Sequence, residues 1–183
     1  MSDNGERTRK EGSMVGLICD DGVILATSSR DNLIYLLEER IYCCAPRSGI
    51  ERKKVLDVCV KVDYLTRESG QKMTVAQVRD LLCQKFEYDE SVDILLGGQD
   101  DLGLHIYSLK ANGGSRRVIY AAKGKKSDEA VAYLAEHWKE SLTLDEAEQL
   151  ARESLKLEVN DFVEICIINR AEQTEEAASD EDN

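Results

Sequence analysis

One side chain near the start of the chain could serve as a nucleophile. Ser13 precedes the first apolar run, and a serine hydroxyl at the head of a strand can attack a carbonyl once a base accepts its proton. Thr8 lies further upstream in a charged segment without an apolar pattern, so no element is predicted to hold it. Ser13 is therefore the candidate nucleophile that the remaining residues would have to support.

The histidines and paired aspartates do not have the spacing of a catalytic or metal site. His105 and His137 lie in a predicted strand and a predicted helix, with no acid or nucleophile at a recognised spacing. The run Asp100-Asp101-x-Gly103 lacks the further carboxylates of a calcium loop, so it favours a hairpin turn. We expect no cofactor and no metal-ligating residue in this chain.

Six cysteines are spread through apolar runs without a CxxC pair. This distribution favours reduced thiols in the protein core over disulfides or a zinc site, because cysteine is among the most often buried residue types. The six are Cys19, Cys43, Cys44, Cys59, Cys83 and Cys166. Cys43 and Cys44 are adjacent in a predicted strand, so their side chains should point to opposite faces of the sheet.

Charge is unevenly distributed along the 183 residues. The formal net charge is -12, and residues 171–183 hold six acids and no base. This segment has no apolar anchor and is predicted to be a disordered acidic tail, whereas residues 1–12 are predicted to be a short flexible segment. Lysines and arginines form no long stripe, which argues against a nucleic-acid partner.

Hydropathy argues against a membrane partner. Phe162–Ile168, one of the longest apolar runs, is too short to cross a bilayer and is interrupted by Glu164. The N-terminal twelve residues contain no apolar segment that could act as a secretory signal. We expect an intracellular protein, located in the cytoplasm and, as a second location, in the nucleus.

The elements that must position Ser13 begin with a hairpin over Met14–Arg30. Two apolar runs, MVGLIC and VILATS, are joined by Asp20-Asp21-Gly22, and we expect Gly22 to supply a positive φ at this turn. Two further strands are predicted over Leu33–Leu36 and Arg40–Ala45.

Four helices are predicted from apolar spacing and capping residues. The first covers Gly49–Ser69, and its inward side is predicted to include Ile50, Val55, Cys59, Val62 and Leu65. The predicted N-caps of the other three helices are Thr74, Ser127 and Thr143, the last within a capping box.

The later strands complete an α+β fold. Runs over Val92–Gly98, Leu104–Leu109 and Arg117–Ala122 predict a three-stranded meander, and Phe162–Ile168 predicts a last strand. The order of strands, two helices, strands, two helices and a strand lacks the alternation of a parallel sheet. It predicts a four-layer αββα sandwich of two antiparallel sheets flanked by helix pairs, within one domain over residues 13–170.

Several of these segments, in this order, carry a resemblance to a known family. They are MVGLICDDGVILATSSR, RIYCC, ILLGGQDDLGLHIYSLKANGG, YAAKG and LTLDEAEQLARESL. Over Met14–Asn169 the chain resembles the β-type subunits of the 20S proteasome, which are N-terminal-nucleophile hydrolases. The resemblance implies the same αββα fold, and partners that are other α- and β-type subunits in stacked heptameric rings.

The resemblance also implies which residues the chemistry would need. Active members use a processed N-terminal threonine with an aspartate and a lysine close by; those threonine and aspartate positions fall on Gly12 and Ser28, and the lysine has no counterpart. Ser13 follows a glycine, as the processed threonine does, but its spacing to Gly16 is one residue too short. In a strand, this difference turns the side chain to the opposite face. Short connections after Arg30 and at 157–160 point the same way, so we expect no catalytic residue.

Three functions follow from this reading. The first is a structural, non-catalytic β-type subunit that contributes to ring assembly and intracellular protein degradation, because an inert member of a ring still supplies wall and interface surface. The second is an active peptidase that uses Ser13 as its N-terminal nucleophile. The third is an assembly or regulatory paralogue that keeps the fold outside the ring.

Overall fold

A computed structural model describes residues 13–157 and 160–172. In these residues two antiparallel sheets lie face to face, and a helix pair covers the outer face of each sheet. The predicted α+β, four-layer αββα sandwich is therefore confirmed. In chain order the elements are β1 (Ser13–Cys19), β2 (Gly22–Thr27), β3 (Asn32–Glu38), β4 (Ile41–Pro46), α1 (Gly49–Ser69), α2 (Val75–Lys85), β5 (Leu95–Asp100), β6 (Gly103–Leu109), β7 (Ser115–Val118), β8 (Tyr120–Gly124), α3 (Ser127–His137), α4 (Leu144–Ser154) and β9 (Glu164–Asn169).

Some predictions concern residues that the structure does not describe. The predicted flexible segment 1–12, including Gly12, lies outside the described residues, as do positions 158 and 159 of the short late connection and residues 173–183 of the predicted tail. Within the described ranges, no helix is long and apolar enough to cross a membrane.

The two sheets differ in size and order. The four-stranded sheet has the order β8-β1-β2-β9, and the five-stranded sheet has the order β3-β4-β5-β6-β7. The predicted hairpin is confirmed, since Cys19 pairs with Gly22 across a two-residue turn. The positive φ predicted for Gly22 is wrong, because Gly22 does not adopt a positive φ. Gly22 instead allows β9 to approach, since a Cβ atom there would lie 2.2 Å from the Ile168 carbonyl oxygen.

Three apolar layers hold the sandwich together. One lies between α1–α2 and the five-stranded sheet, the second between the two sheets, and the third between the four-stranded sheet and α3–α4. Phe86, Leu25 and Leu134 are representative fully buried residues of the three layers, in that order. Cys43 belongs to the first layer and Cys44 to the second, so their predicted opposite orientation is confirmed.

Three helix ends are explained by the residue type at the end of the helix. α1 ends at Gly70, whose φ of 66° suits a glycine after a helix. Thr74 and Thr143 each accept a hydrogen bond from the backbone N–H three residues later, in reciprocal capping boxes. The prediction of Ser127 as an N-cap is wrong by one residue, because Lys126 already accepts the Ala130 N–H through its carbonyl and has a φ of 66°.

The inward face of α1 differs from the predicted stripe. Its buried residues are Val55, Val58 and Val62, whereas Ile50 is exposed near the first turn. The helix therefore packs through three valines spaced by three and four residues, which fit close to the sheet. Ile50 lies outside that stripe, and its apolar character misled the prediction.

The predicted meander is also wrong in its third strand. The chain over Arg117–Ala122 divides into β7, which pairs with β6, and β8, which pairs with β1 in the other sheet. Ile119 lies between them, and its carbonyl accepts a hydrogen bond from the Ile18 N–H at 2.8 Å. The chain therefore crosses from one sheet to the other within a single apolar run.

Thiol labelling should be slow at Cys166 and strongly dependent on pH. Burial, followed by the nearby Glu164 carboxylate, raises the pKa of Cys166 to about 11. Because the thiolate is the reactive form, we expect labelling at about pH 8 to be at least about tenfold slower than for a free thiol. The rate should rise about tenfold per pH unit below that pKa.

The measurement is labelling with an aromatic disulfide reagent, with Cys166→Ser as the matched control. The control should lack this phase, and all six thiols should react after denaturation. A rate at Cys166 that equals that of a free thiol, or that does not change with pH, would contradict the raised pKa of this partly buried thiol.

Candidate active site

The head of β1 brings together two of the residues that the sequence analysis singled out. The Ser28 hydroxyl accepts a hydrogen bond from the Ser13 backbone N–H at 3.2 Å. The same hydroxyl donates a hydrogen bond to the Ser13 carbonyl oxygen, also at 3.2 Å. The Ser28 N–H donates to the same carbonyl at 3.0 Å. Ser28 therefore fixes the Ser13 backbone through these three hydrogen bonds.

Thr27 supports the same position from the inside. Its buried hydroxyl lies 3.4 Å from the Ser13 carbonyl and accepts hydrogen bonds from the Ser29 N–H and the Asn32 side-chain amide at 3.2 and 3.3 Å. These bonds join the ends of β1 and β2 to the start of β3. They form because the short turn after Arg30 brings Asn32 back towards β2.

The Ser13 hydroxyl points away from the space between the sheets. It donates a hydrogen bond to the Lys125 carbonyl, in the segment that leads into α3. Along β1, Val15 and Leu17 pack against α3 and α4, while Met14 packs between the sheets. Because side chains alternate along a strand, Ser13 lies on the α3–α4 side of its sheet, as the shortened spacing predicted.

A cavity of about 630 Å³ lies beside the head of β1. Met14 lines it from β1, and Lys123 lines it from β8. Its other charged lining residues include Asp31, Glu51 and Asp93. Neither Ser13 nor Ser28 is among the lining residues, whereas Lys125, whose carbonyl accepts the Ser13 hydroxyl, lines the cavity from the segment after β8.

Lys123 is the charged residue of this cavity that the sequence analysis missed as a site residue. Its ammonium group donates to the Val92 carbonyl, in the segment before β5, at 2.9 Å and to the carbonyl of Leu109, the last residue of β6. Burial lowers the pKa of Lys123, and Asp93 partly opposes this effect. The sequence did carry a signal for Lys123. This residue lies two positions after Ala121, so both are on the inward face of β8, where a lysine is unexpected.

The amine of Lys123 is held as a structural group. Two of its three protons go to backbone carbonyls that an apolar side chain could not bond. Among the described residues it forms no hydrogen bond with Ser13 or Ser28. The arrangement therefore ties the two sheets together at the cavity and does not present a base to the Ser13 hydroxyl.

The second group of polar residues lies at the β5–β6 hairpin. His105 Nε2 lies 3.0 Å from Asp100 Oδ1, and both side chains are less than one-tenth exposed. Asp100 also accepts hydrogen bonds from the Val75 and Leu102 N–H groups at 2.8 and 2.9 Å. The hairpin turn predicted at Asp100-Asp101-x-Gly103 is confirmed. The sequence analysis missed the pairing of His105 with Asp100; His105 itself lies directly across the hairpin from Gly98.

The other candidate residues do not gather into a site. His137 stacks on Tyr133 with ring centroids 4.2 Å apart, on the surface of α3. In residues 13–157 and 160–172 no three histidine, cysteine, aspartate or glutamate side chains are placed to hold a metal ion.

A family profile described as "Proteasome subunit" matches residues 60–164, which is more than half of the chain. The chain belongs to the proteasome subunit family. The matched range begins inside α1 and ends at Glu164, the first residue of β9, so it includes most of both helix layers. It does not include Ser13 or Ser28, and membership of the proteasome subunit family therefore leaves the chemistry at the head of β1 open.

Individual proteasome subunits agree with this assignment. The chain is 26% identical over 185 residues to proteasome subunit beta type-10 of Bos taurus, covering 89% of this chain and 68% of the relative. It is 29% identical over 179 residues to proteasome subunit beta type-7-A of Arabidopsis thaliana, covering 86% and 66%. It is also 29% identical over 168 residues to the proteasome subunit beta of Methanoculleus marisnigri, covering 82% and 78%.

These comparisons confirm the resemblance to β-type subunits of the proteasome. The chain spans 68% and 66% of the lengths of the bovine and Arabidopsis relatives, and 60% of the length of proteasome subunit beta type-10 of Rattus norvegicus. The fold and the family are therefore shared with longer proteins.

Proposed function

We propose that this chain is a non-catalytic β-type subunit of the 20S proteasome core. It contributes wall and interface surface to rings formed with other α- and β-type subunits, and so takes part in intracellular protein degradation in the cytoplasm and nucleus. Membership of the proteasome subunit family supports the assembly role. The β-type relatives support the place in the core.

The observation that carries the non-catalytic assignment is the direction of the Ser13 hydroxyl. This hydroxyl donates to the Lys125 carbonyl, and a backbone carbonyl cannot accept its proton as a base. A nucleophile needs a base within hydrogen-bond reach and a space for the substrate carbonyl. Among the described residues, no side chain that could act as a base forms a hydrogen bond with the Ser13 hydroxyl.

The electrostatics at Ser28 support the same conclusion. The resemblance places an aspartate of active subunits at this position, and a serine hydroxyl carries no charge that could stabilise a nearby ammonium group. Its hydrogen bonds go to the Ser13 backbone. The position therefore has a structural role in joining the ends of β1 and β2.

The proposal is tested with the full chain isolated inside its complex. Wild type and Ser13→Ala are treated with a peptide epoxyketone, a probe that bonds to an N-terminal nucleophile, and each subunit is identified by intact mass. We expect no probe on this chain, no N-terminus at Ser13, and peptidase rates that agree within about twofold between the two proteins.

A catalytic β-type subunit in the same complex serves as the positive control, because it should take up the probe. Probe attached to a free Ser13 amine would establish the active peptidase instead. A chain that never enters a complex with proteasome subunits would contradict the core role and favour the free paralogue.

A further inference from the structure

Strand β9 forms one edge of the four-stranded sheet, next to β2. Just beyond β9, the Arg170 N–H donates to the Asp21 carbonyl at 2.7 Å, which fixes the phase of the pairing. Because the bonds of an antiparallel pair alternate along a strand, the N–H and C=O groups of Ile165, Ile167 and Asn169 point away from β2. In the part of the chain that the structure describes, no strand pairs with these outward groups.

The other three edge strands carry features that oppose pairing with a further strand. β3 has an irregular register between Leu36 and Glu38, and its Ile34 N–H already donates to the Glu164 carboxylate at 3.1 Å. β7 has only four residues, two of them arginines, and β8 contains the inward-pointing Lys123. Irregularities, charges and short lengths are the usual protection of sheet edges. In contrast, β9 pairs regularly over six residues, contains no lysine or proline, and carries its one charge at its first residue.

Both faces of β9 are incompletely covered. On the α4 side, Ile165 packs only partly against the helix layer, and the Ile167 side chain is 41% exposed. On the other side, Cys166 is only partly buried between the sheets, whereas Ile168 is buried. One more strand beside β9 would cover the exposed parts of both faces.

The charged groups around β9 have both signs. Glu164 begins the strand, with an Arg47 nitrogen 3.7 Å from its carboxylate, and Arg170 directly follows the strand. On the neighbouring helix α4, Arg152 and Glu148 form an ion pair at 3.1 Å. Two further acids lie beyond the segment from Glu164 to Arg170, namely Asp161 and Glu172.

A second copy of β9, antiparallel to the first across a twofold axis at Ile167, matches this edge. Ile167 then lies opposite its own counterpart, and Ile165 lies opposite Asn169 of the second copy, so all the outward groups find partners. In the same register Glu164 lies opposite Arg170 of the second copy, and this contact occurs twice. Opposite charges that face each other across two strands favour their pairing.

Other occupants match the edge less well. An axis at Cys166 would place Glu164 opposite Ile168, and an axis at Ile168 would place Glu164 opposite Glu172, which has the same charge. Residues 173–183 contain five acids and no isoleucine, leucine or valine, so their composition is poor for a strand that covers an apolar edge.

We propose that β9 pairs with β9 of a second copy of this chain, so that two four-stranded sheets join into one continuous sheet. The pairing uses the outward backbone groups of Ile165, Ile167 and Asn169 together with two contacts between Glu164 and Arg170. It goes beyond the proposed core role and does not depend on it, because this edge needs no other proteasome subunit.

The first test measures self-association of the full chain by sedimentation equilibrium, with Ile167→Pro and Ile167→Thr as a matched pair. Proline removes the outward N–H of residue 167 but no bond to β2, whereas threonine keeps that N–H. We expect a wild-type dimer, at least about tenfold weaker association for Ile167→Pro, and less than about threefold weaker association for Ile167→Thr. A monomeric wild type, or equal losses in the two variants, would overturn the pairing.

A charge change tests the same contact without altering β9. Arg170→Glu places two carboxylates opposite each other, and we expect about fivefold weaker association. Arg116→Glu is the control, because it makes the same charge change on the edge strand β7, and its association should stay within about twofold of wild type. Circular dichroism should be unchanged in both variants. Equal association of the two variants would contradict the register.

Disulfide crosslinking with diamide locates the twofold axis. Ile167→Cys should crosslink, since the two Cα atoms would lie about 5.5 Å apart, whereas those of Asn169→Cys would be more than about 13 Å apart. Crosslinking of wild type through Cys166, or of Asn169→Cys, would contradict the register. Loss of the dimer when residues 173–183 are removed would assign the contact to that segment instead. A monomer that still joins proteasome subunits would overturn this inference and leave the core role intact.

Discussion

Replacing Asp100 with alanine is expected to lower the free energy of unfolding by about 3–5 kcal/mol. The carboxylate accepts hydrogen bonds from the Val75 and Leu102 N–H groups and contacts the His105 ring, and its side chain is only 7% exposed. Alanine would leave the part-buried Val75 N–H and the buried His105 ring without this acceptor, whereas the Leu102 N–H lies at an exposed turn that water can reach. The cost arises because unpaired buried polar groups lose their water without gaining another bond.

The measurement is equilibrium unfolding in urea, monitored by circular dichroism. Asp63→Ala is the matched control, because its exposed carboxylate pairs only with Arg67 on the surface of α1, and we expect a loss of no more than about 1 kcal/mol. Asp100→Asn keeps one acceptor oxygen and should fall between the two. A loss for Asp100→Ala no larger than that of Asp63→Ala would refute the proposed role of this carboxylate.

Replacing Gly22 with alanine is expected to destabilise the fold by about 3 kcal/mol. The new Cβ atom would lie 2.2 Å from the Ile168 carbonyl oxygen and 3.0 Å from a methyl group of Leu144. The Leu144 side chain can rotate, but Ile168 is paired with Val23 between β2 and β9. The backbone of β9 would have to shift and weaken its hydrogen bonds to β2.

Thermal unfolding and amide hydrogen exchange check this prediction. Gly114→Ala is the control, because Gly114 has a φ of -78° and its nearest atoms would lie 3.4 Å from a Cβ, so we expect a change within about 1 kcal/mol. Protection of the β9 amides should fall in Gly22→Ala only. Equal stability of the two variants would exclude the close approach at Gly22.

The parts of the fold that the sequence predicts well depend on neighbouring residues. The predicted N-caps Thr74 and Thr143 follow from side chains that bond to the backbone N–H three residues later, and the end of α1 follows from Gly70, which adopts a φ of 66°. The β1–β2 hairpin follows from two apolar runs around a short polar turn. In each case the physical cause lies within the segment itself.

The missed features depend on residues that are distant in the chain. A continuous apolar run such as the one in Arg117–Ala122 suits either sheet, and pairing with β6 and with β1 divides it. The contact between Ser13 and Ser28 was predictable from the hairpin, since both lie at its open end. The acceptors of Lys123 and the Val75 N–H that bonds to Asp100 lie far away in the chain, so spacing alone could not reveal them.

Ile119 is the single residue between β7 and β8, and this short connection matters when part of the native structure opens. β8 covers the backbone of β1 from Ser13 to Leu17, and β8 is joined to the other sheet by the chain through Ile119 and by the hydrogen bonds of Lys123. If this strand detaches, the inner strand β1 becomes an uncovered edge with an apolar sequence. Such an edge can pair with the same segment of another molecule. By covering β1, strand β8 therefore also protects the protein from aggregation.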